Sequence, residues 1–416
     1  MDSRTTPPPD LVVVCQLFHP ELVSTGQTLT ELVEELSGLG RRITVIASQP
    51  TVMPGAPRVP AWIEHRGVTI RRTWSTRLPK KRFWGKLINQ ATYFISATWT
   101  VLTQYRTQPL LLLTNPPYLP LLGWMFNVLR RQPFHVVLFD IMPEQAESIG
   151  FLKPGGWIAR IWRRFNRLWY LRASSAVVLS RDMLEGALKN ANLAGTPDEA
   201  AARAKTRIIH VWADDRLITP LAKEASPETV RLGVADKFVI QYSGNHGRFH
   251  DIETLVGLAA AFGPDEGVVF QFIGEGQKKR LVSQRFPGTA HPQVYESSYV
   301  SKEILRESLA MADMGVVAQL PGQEFVCFPS KLLGVMAAGR ATLAVCPPDC
   351  ELARMIRDFD IGIVVPNGDI SGGQRALREI AAQPDRVRQM GENAARVLRE
   401  RFTLAQAARG YFEILK

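Results

Sequence analysis

The sequence is poor in cysteine, with 4 in 416 residues. Cys15, Cys327, Cys346 and Cys350 form no CxxC pair and no cluster with metal-ligand spacing. This argues against a disulfide-stapled scaffold and a structural zinc site. It fits reduced cytosolic thiols that pack as small hydrophobes. Long apolar runs are also absent. No stretch approaches the roughly 18 uninterrupted apolar residues of a membrane span, and the apolar segment 119–129 is too short for one. The opening MDSRTTPPPD is polar and proline-rich and lacks the apolar core of a secretion signal, so residues 1–10 are expected to be disordered. With 46% hydrophobic and 21% charged residues, the composition excludes a disordered chain, a collagen and a polytopic membrane protein. A soluble or membrane-peripheral globular protein is expected.

The chain exceeds what one hydrophobic core usually supports, so two domains of roughly 200 residues are expected. Its 50 basic and 39 acidic residues give a net charge of +11. Residues 1–215 hold 26 basic and 16 acidic side chains, leaving 24 and 23 for the remainder. Nearly all the excess charge therefore belongs to the N-terminal half.

Strand-like apolar runs alternate with helical periods throughout. The run LVVVCQLF at 11–18 is continuously apolar, as in a parallel strand covered on both faces. Residues 27–39 then place Leu29, Leu32, Val33 and Leu36 at helical spacing. Strand runs recur at 43–47, 110–113, 136–139, 176–179 and 208–211, and again at 238–242, 268–273, 314–318, 342–345 and 361–365. This is an α/β chain with two Rossmann-like domains facing a cleft, their ligand loops at the C-terminal strand ends. The expected divisions are an N-terminal domain at 11–212, a linker at 213–236, a C-terminal domain at 237–395 and a final helical segment at 396–416.

Four motifs could carry chemistry. Ser24-Thr25-Gly26 follows the first strand; Gly26 either lets backbone amides approach a phosphate or serves as a plain turn glycine. Gly244-Asn245-His246-Gly247-Arg248 joins a strand to a helix, and Arg248 offers a fork suited to a diphosphate. His250 and Asp251 fall at the helix start, with Asp251 as its cap. In EFVCFPSKLLGVMAAG (324–339), Pro329 suits a first helical turn and puts Ser330 and Lys331 at a helix start. A lysine there opposes the helix dipole unless an anion compensates it; otherwise it points into water. Asp140 ends the strand run HVVLFD and either binds hydroxyls of an acceptor or caps the next turn.

Two stretches combine basic and aromatic residues. One holds Arg71, Arg72, Trp74, Arg77, Lys80, Lys81, Arg82, Phe83, Trp84 and Lys86. The other, 160–172, places Arg160, Arg163, Arg164 and Arg167 on one helical face and Trp162, Phe165 and Trp169 on another. The first reads as contact with an anionic membrane. The second fits that reading and a solvated face over a core-facing aromatic stripe equally well. No nucleic-acid-binding module is recognisable, so nucleic acid is not expected as a partner.

The segments FHPELVSTGQTLTELVEEL (18–36), TNPPYLPLLGW (114–124), VVLFDIMPE (136–144), YSGNHGRFHDIETL (242–255), FIGEG (272–276) and FPSKLLGVMAAGRATLAV (328–345) resemble, in order and spacing, glycosyltransferase family 4, of GT-B fold. The likeness is to enzymes of bacterial polysaccharide and lipopolysaccharide assembly. The resemblance implies metal-independent, cofactor-free transfer of a sugar, hexosyl or N-acetylhexosaminyl, from a nucleotide-sugar donor with retention at the anomeric carbon. It implies that Gly26, Gly244, Asn245, Arg248, Ser330 and Lys331 cradle the diphosphate, with Gly274, Tyr299 and Val300 flanking the base. Glu324 approaches the donor sugar and Asp140 faces the acceptor. The last helix is implied to return to the N-terminal domain.

The sequence also departs from the family pattern. Val326 and Gly334 occupy positions where paired glutamates are frequent, with Glu324 taken in place of the first. Asn245 stands where an arginine is usual and His250 near the usual lysine, so Arg248 is taken as a replacement. The expected protein acts at the cytoplasmic membrane face on a lipid-linked or glycan acceptor, with Arg71, Arg72, Trp74, Lys80, Lys81, Arg82 and Trp84 toward the membrane or acceptor. The alternatives are a nucleotide-sugar epimerase of the same fold and a non-catalytic binding subunit.

Overall fold

The computed structural model describes residues 8–21, 25–50, 57–78, 83–213, 217–288 and 291–415. The chain divides into two compact units. Unit 1 comprises Met1–His210, Phe325–Cys327 and Leu404–Lys416; unit 2 comprises Val211–Glu324 and Phe328–Thr403.

Among the described residues, unit 1 holds eight strands: β1 (Leu11–Val14), β2 (Ile43–Ser48), β3 (Trp62–His65), β4 (Val68–Thr73), β5 (Leu110–Leu113), β6 (Phe134–Val137), β7 (Ser175–Val178) and β8 (Thr206–Ile208). They form one sheet in the order β3-β4-β2-β1-β5-β6-β7-β8. All neighbours pair in parallel except β3 with β4. The all-apolar β1 and β5 are buried on both faces because helices cover each side. The sequence run at 11–18 is only half strand: pairing ends at Val14 and the chain turns into a loop.

The β3–β4 hairpin lies inside a region with no clear strand signal, because basic residues interrupt its alternation. Its location changes the meaning of two expected membrane residues. Arg72 sits on β4 between β3 and β2, is 6% exposed, and donates to the carbonyls of Ser48 (2.8 Å) and His19. It is an internal tie between loops rather than a membrane contact. Arg71 stands opposite Trp62 in the hairpin, its guanidinium 5.1 Å from the indole centroid.

The final helix, Leu404–Ile414, belongs to unit 1 and packs on the helix Thr25–Gly38. It buries Ala407, Ala408 and Tyr411. Arg41 reaches it by stacking over Phe412 at 4.7 Å and donating to the Leu415 carbonyl at 3.1 Å. Asp10, within the stretch expected to be disordered, pairs with Arg42 at 2.6 Å; residues 1–7 lie outside the described residues.

Unit 2 holds β9 (Phe238–Ser243), β10 (Val268–Ile273), β11 (Val294–Ser297), β12 (Met314–Ala318), β13 (Ala341–Val345) and β14 (Gly362–Val365) among the described residues. They pair in parallel in the order β11-β10-β9-β12-β13-β14. Ile240, Phe270, Val316 and Leu343 pack under the helix Ile252–Ala260 and its neighbours. Of the stretch 213–236 expected as a linker, residues 223–236 are folded into this unit. The helix Pro227–Leu232 buries Thr229, and Lys223 pairs with Asp313 at 2.5 Å.

Truncating Tyr411 to alanine leaves a cavity between the last helix and its partner. Tyr411→Ala is expected to lower unfolding free energy by about 3 kcal/mol, measured by urea denaturation. An unchanged midpoint would mean the last helix does not contribute to the core.

Candidate functional site

Because the six strands of unit 2 are parallel, their C-terminal ends share one edge of the sheet, where ligand loops gather in such folds. The loops after β9, β10, β11 and β12 carry Gly244–Arg248, Gly274, Tyr299–Val300 and Glu324–Lys331 respectively. Two glycines set their spacing. Gly274 adopts φ +128°, and a Cβ there would lie 2.0 Å from the Gly244 carbonyl oxygen. Gly276 adopts φ +147°, and a Cβ there would lie 2.5 Å from the His246 carbonyl oxygen. Only glycine tolerates both the backbone angle and the contact.

Against this double loop stands Lys331, first residue of the helix Lys331–Ala337. Its ammonium lies 4.1 Å from the Tyr242 ring centroid and donates to the Asn245 carbonyl at 3.0 Å and to the Tyr242 hydroxyl. The Tyr242 hydroxyl donates to the same carbonyl at 2.7 Å. Among the described residues Lys331 forms no ion pair, and burial pushes its pKa down to about 7. His246 and His250 complete the cluster, their rings 4.9 Å and 6.2 Å from Tyr242. Burial first, and the Lys331 charge second, hold both histidines down to about 4, so both are neutral at pH 7. Neutral His250 uses Nδ1 to donate to the Ala318 carbonyl at 3.0 Å.

The next helix is fixed firmly behind the loop. Asp251 caps it by accepting from the Thr254 amide at 2.9 Å, as its position in the sequence predicts. Asn367, in the loop after β14, donates to Asp251 (2.7 Å) and to the Gln319 carbonyl (2.9 Å), joining three loops.

The structure thus brings Gly244, Asn245, Gly274 and Lys331 together, with the Tyr299 ring against Gly274. Tyr299 is exposed, and Val300 follows it on the same loop. Arg248 is exposed and bonds to Gln277, in the segment after Gly276. Ser330 is exposed and makes no side-chain cap bond, and Pro329 precedes the helix instead of entering its first turn. Glu324 lies in the short turn Gln323–Phe325. Tyr242 and His246 received no role from the sequence. Tyr242 looked like an ordinary core strand residue, and its hydroxyl contacts with Lys331 and the Asn245 carbonyl appear only in the fold.

In unit 1, Gly26 lies in the first turn of the helix Thr25–Gly38 and is pressed against the Glu21 carbonyl, a packing role visible within that unit. Asp140 follows β6 at a small cavity lined by Thr114, Ile141, Met142, Asn166, Tyr170 and Asn190. Burial raises its carboxyl pKa, partly offset by a 2.7 Å hydrogen bond from Gln145. Trp74 and Trp84 are 67% and 69% exposed. Lys80, Lys81 and Arg82 lie outside the described residues. Arg163 and Arg167 are half-buried and paired: Arg163 bridges Glu144 (2.9 Å) and Glu147 (2.5 Å), and Arg167 pairs with Asp198 at 2.5 Å. Trp169 is buried and donates to Asn166. No group of three potential metal ligands occurs among the described residues.

Residues 25–197 match the glycosyl transferase 4-like domain. The chain is 29% identical over 278 residues to a probable glycosyltransferase, WbjE, of Pseudomonas aeruginosa; the match covers 66% of this chain and 64% of that relative's length. The fold is shared with sucrose-phosphate synthase of Thermosynechococcus elongatus (TM-score 0.73, 16% identity, 97% of both chains). It is also shared with HepE of Anabaena, solved with UDP (TM-score 0.68, 14% identity, 98% of this chain and 99% of that one). The architecture is that of GT-B glycosyltransferases.

The depressed Lys331 pKa has a measurable consequence. The folded chain releases a proton near pH 7 that the unfolded chain keeps until about 10.5, so stability rises with pH across that window. The melting temperature of Lys331→Met relative to the unmodified chain is expected to fall progressively from pH 7 to pH 10. A constant difference would mean an ordinary lysine.

Proposed function

We propose that this chain, which carries a glycosyl transferase 4-like domain on a GT-B fold, transfers a sugar from a nucleotide-sugar donor to a lipid-linked or glycan acceptor. The setting is cell-surface polysaccharide or glycolipid synthesis at the cytoplasmic membrane face. The observation that carries this reading is Lys331, a half-buried lysine with no ion pair among the described residues, beside two closely packed glycine loops. A donor diphosphate supplies the missing anion. HepE, a structural neighbour, is solved with UDP and with UDP-glucose, which supports a nucleotide-sugar donor for this chain.

In this reading Lys331, Ser330 and the Gly244–Asn245 backbone hold the diphosphate. Arg248 reaches it by leaving Gln277, and Gly26 adds a backbone contact. Tyr299, Val300 and Gly274 flank the base, Glu324 approaches the donor sugar, and Asp140 orients the acceptor. The acceptor oxygen forms its bond to the anomeric carbon on the face from which the diphosphate departs. The carbon–phosphate oxygen bond breaks, and the acceptor proton passes to a leaving phosphate oxygen. Configuration is retained, and the protein supplies no nucleophile. Cationic and amide groups stabilise the leaving diphosphate, so activity persists in EDTA.

Removing a charge-assisted contact to the diphosphate costs about 1.5–3 kcal/mol, so Lys331→Ala should bind donor roughly tenfold to a hundredfold more weakly. A thermal-shift screen of nucleotide sugars, with UDP-glucose first, identifies the donor, and titration then compares the variant. Unchanged affinity in Lys331→Ala would contradict this site. Proton NMR of the product distinguishes retention from inversion, and an inverted product would reject front-face transfer.

A further inference from the structure

Three helices of unit 1 lie side by side on one face of its sheet: Phe83–Gln104, Leu119–Arg130 and Trp157–Arg172. They connect β4 to β5, β5 to β6 and β6 to β7, each crossover advancing in the same direction across the sheet. Right-handed crossovers therefore place all three on the same face. Direct contacts join them. Arg130 donates to the carbonyls of Val101 (3.2 Å) and Tyr105 (3.1 Å), and Arg172 donates to the Asn127 side chain at 3.4 Å.

The outer surface of this layer is apolar. On Phe83–Gln104, Trp84, Ile88, Ile95, Trp99 and Leu102 are exposed and spaced at 4, 7, 4 and 3 residues, one continuous helical stripe opposite the buried Tyr93 and Val101. Ile95 and Trp99 are 68% and 66% exposed, and Leu129 on the adjoining helix is 68% exposed. Trp157, Ile161 and Leu168 continue the pattern on Trp157–Arg172. Isolated exposed apolar residues are ordinary, but a stripe shared by three adjacent helices marks an interaction surface.

Charge identifies what it meets. None of the three helices contains an aspartate or glutamate. Lys86, Arg160, Arg164 and Arg172 are exposed on them, with Arg106 and Arg131 at the ends of the first two. A second copy of this face would oppose cation to cation. No described helix is long and apolar enough to cross a membrane, so the layer fits a surface-lying arrangement with tryptophans at the lipid headgroups.

We propose that this three-helix face docks on an anionic lipid bilayer, with Ile95, Trp99 and Leu129 entering the headgroup–acyl boundary. The proposal deepens the membrane-face reading above and rests on it for its biological setting, but its physical basis is independent of sugar transfer. It extends the contact well past Trp84 and leaves out the internal Arg72.

The test is cosedimentation of the full chain with vesicles of phosphatidylcholine alone or mixed with phosphatidylglycerol. The unmodified chain is expected to pellet with the mixed vesicles and to be released by high salt. Ile95→Glu/Trp99→Glu, and separately Leu129→Glu, should each reduce vesicle partitioning about tenfold or more, with the melting temperature and donor affinity unchanged. Donor affinity is read on the same samples, so a failed donor assignment and a failed docking face give different results. Either variant binding vesicles like the unmodified chain overturns the proposal. So does an unmodified chain that ignores anionic vesicles, or one that is a dimer by light scattering while the variants are monomers.

Discussion

The candidate site depends on a lysine that forms no ion pair among the described residues. Lys331 is held over the Tyr242 ring with its ammonium on a backbone carbonyl, and burial makes the charged form costly. The surroundings preserve that condition. Both nearby histidines stay neutral, and the glycines at 274 and 276 let the β9 and β10 loops close to a separation no side chain allows. The Asp251–Thr254–Asn367 hydrogen bonds hold the loop behind them in place. An anion at this strand edge restores the favourable protonation state, so ligand binding and lysine ionisation are linked.

Much of the fold was legible in the sequence because parallel strands buried on both faces read as plain apolar runs. β1, β5, β9, β10, β12 and β13 all carry that signal. The β3–β4 hairpin did not, since Arg71 and Arg72 interrupt it and look like surface charge. Only tertiary structure supplies the Ser48 and His19 carbonyls that make burial of Arg72 tolerable. Likewise Arg163 and Arg167 form a basic helical face in the sequence, yet their acidic partners lie on other segments.

The site was legible in part. The glycine-rich loop and the helix-start lysine pointed to Gly244 and Lys331, whereas Gly274 was reached only through the family resemblance. Tyr242 and His246 break no local rule, and their contacts with each other and with Lys331 appear only once the loop folds back over the strand end. Arg248 stands out in the sequence for its side-chain chemistry alone; its guanidinium bonds to Gln277, which the sequence did not indicate.

The strongest single test of the linked-ionisation account is calorimetry of nucleotide-sugar binding at pH 8 in buffers of different ionisation enthalpy. The esterified diphosphate does not titrate there, so any proton taken up belongs to the protein. The account predicts uptake of about one proton per donor bound, lost in Lys331→Met. Binding enthalpies independent of buffer, or uptake that persists in the variant, would contradict it.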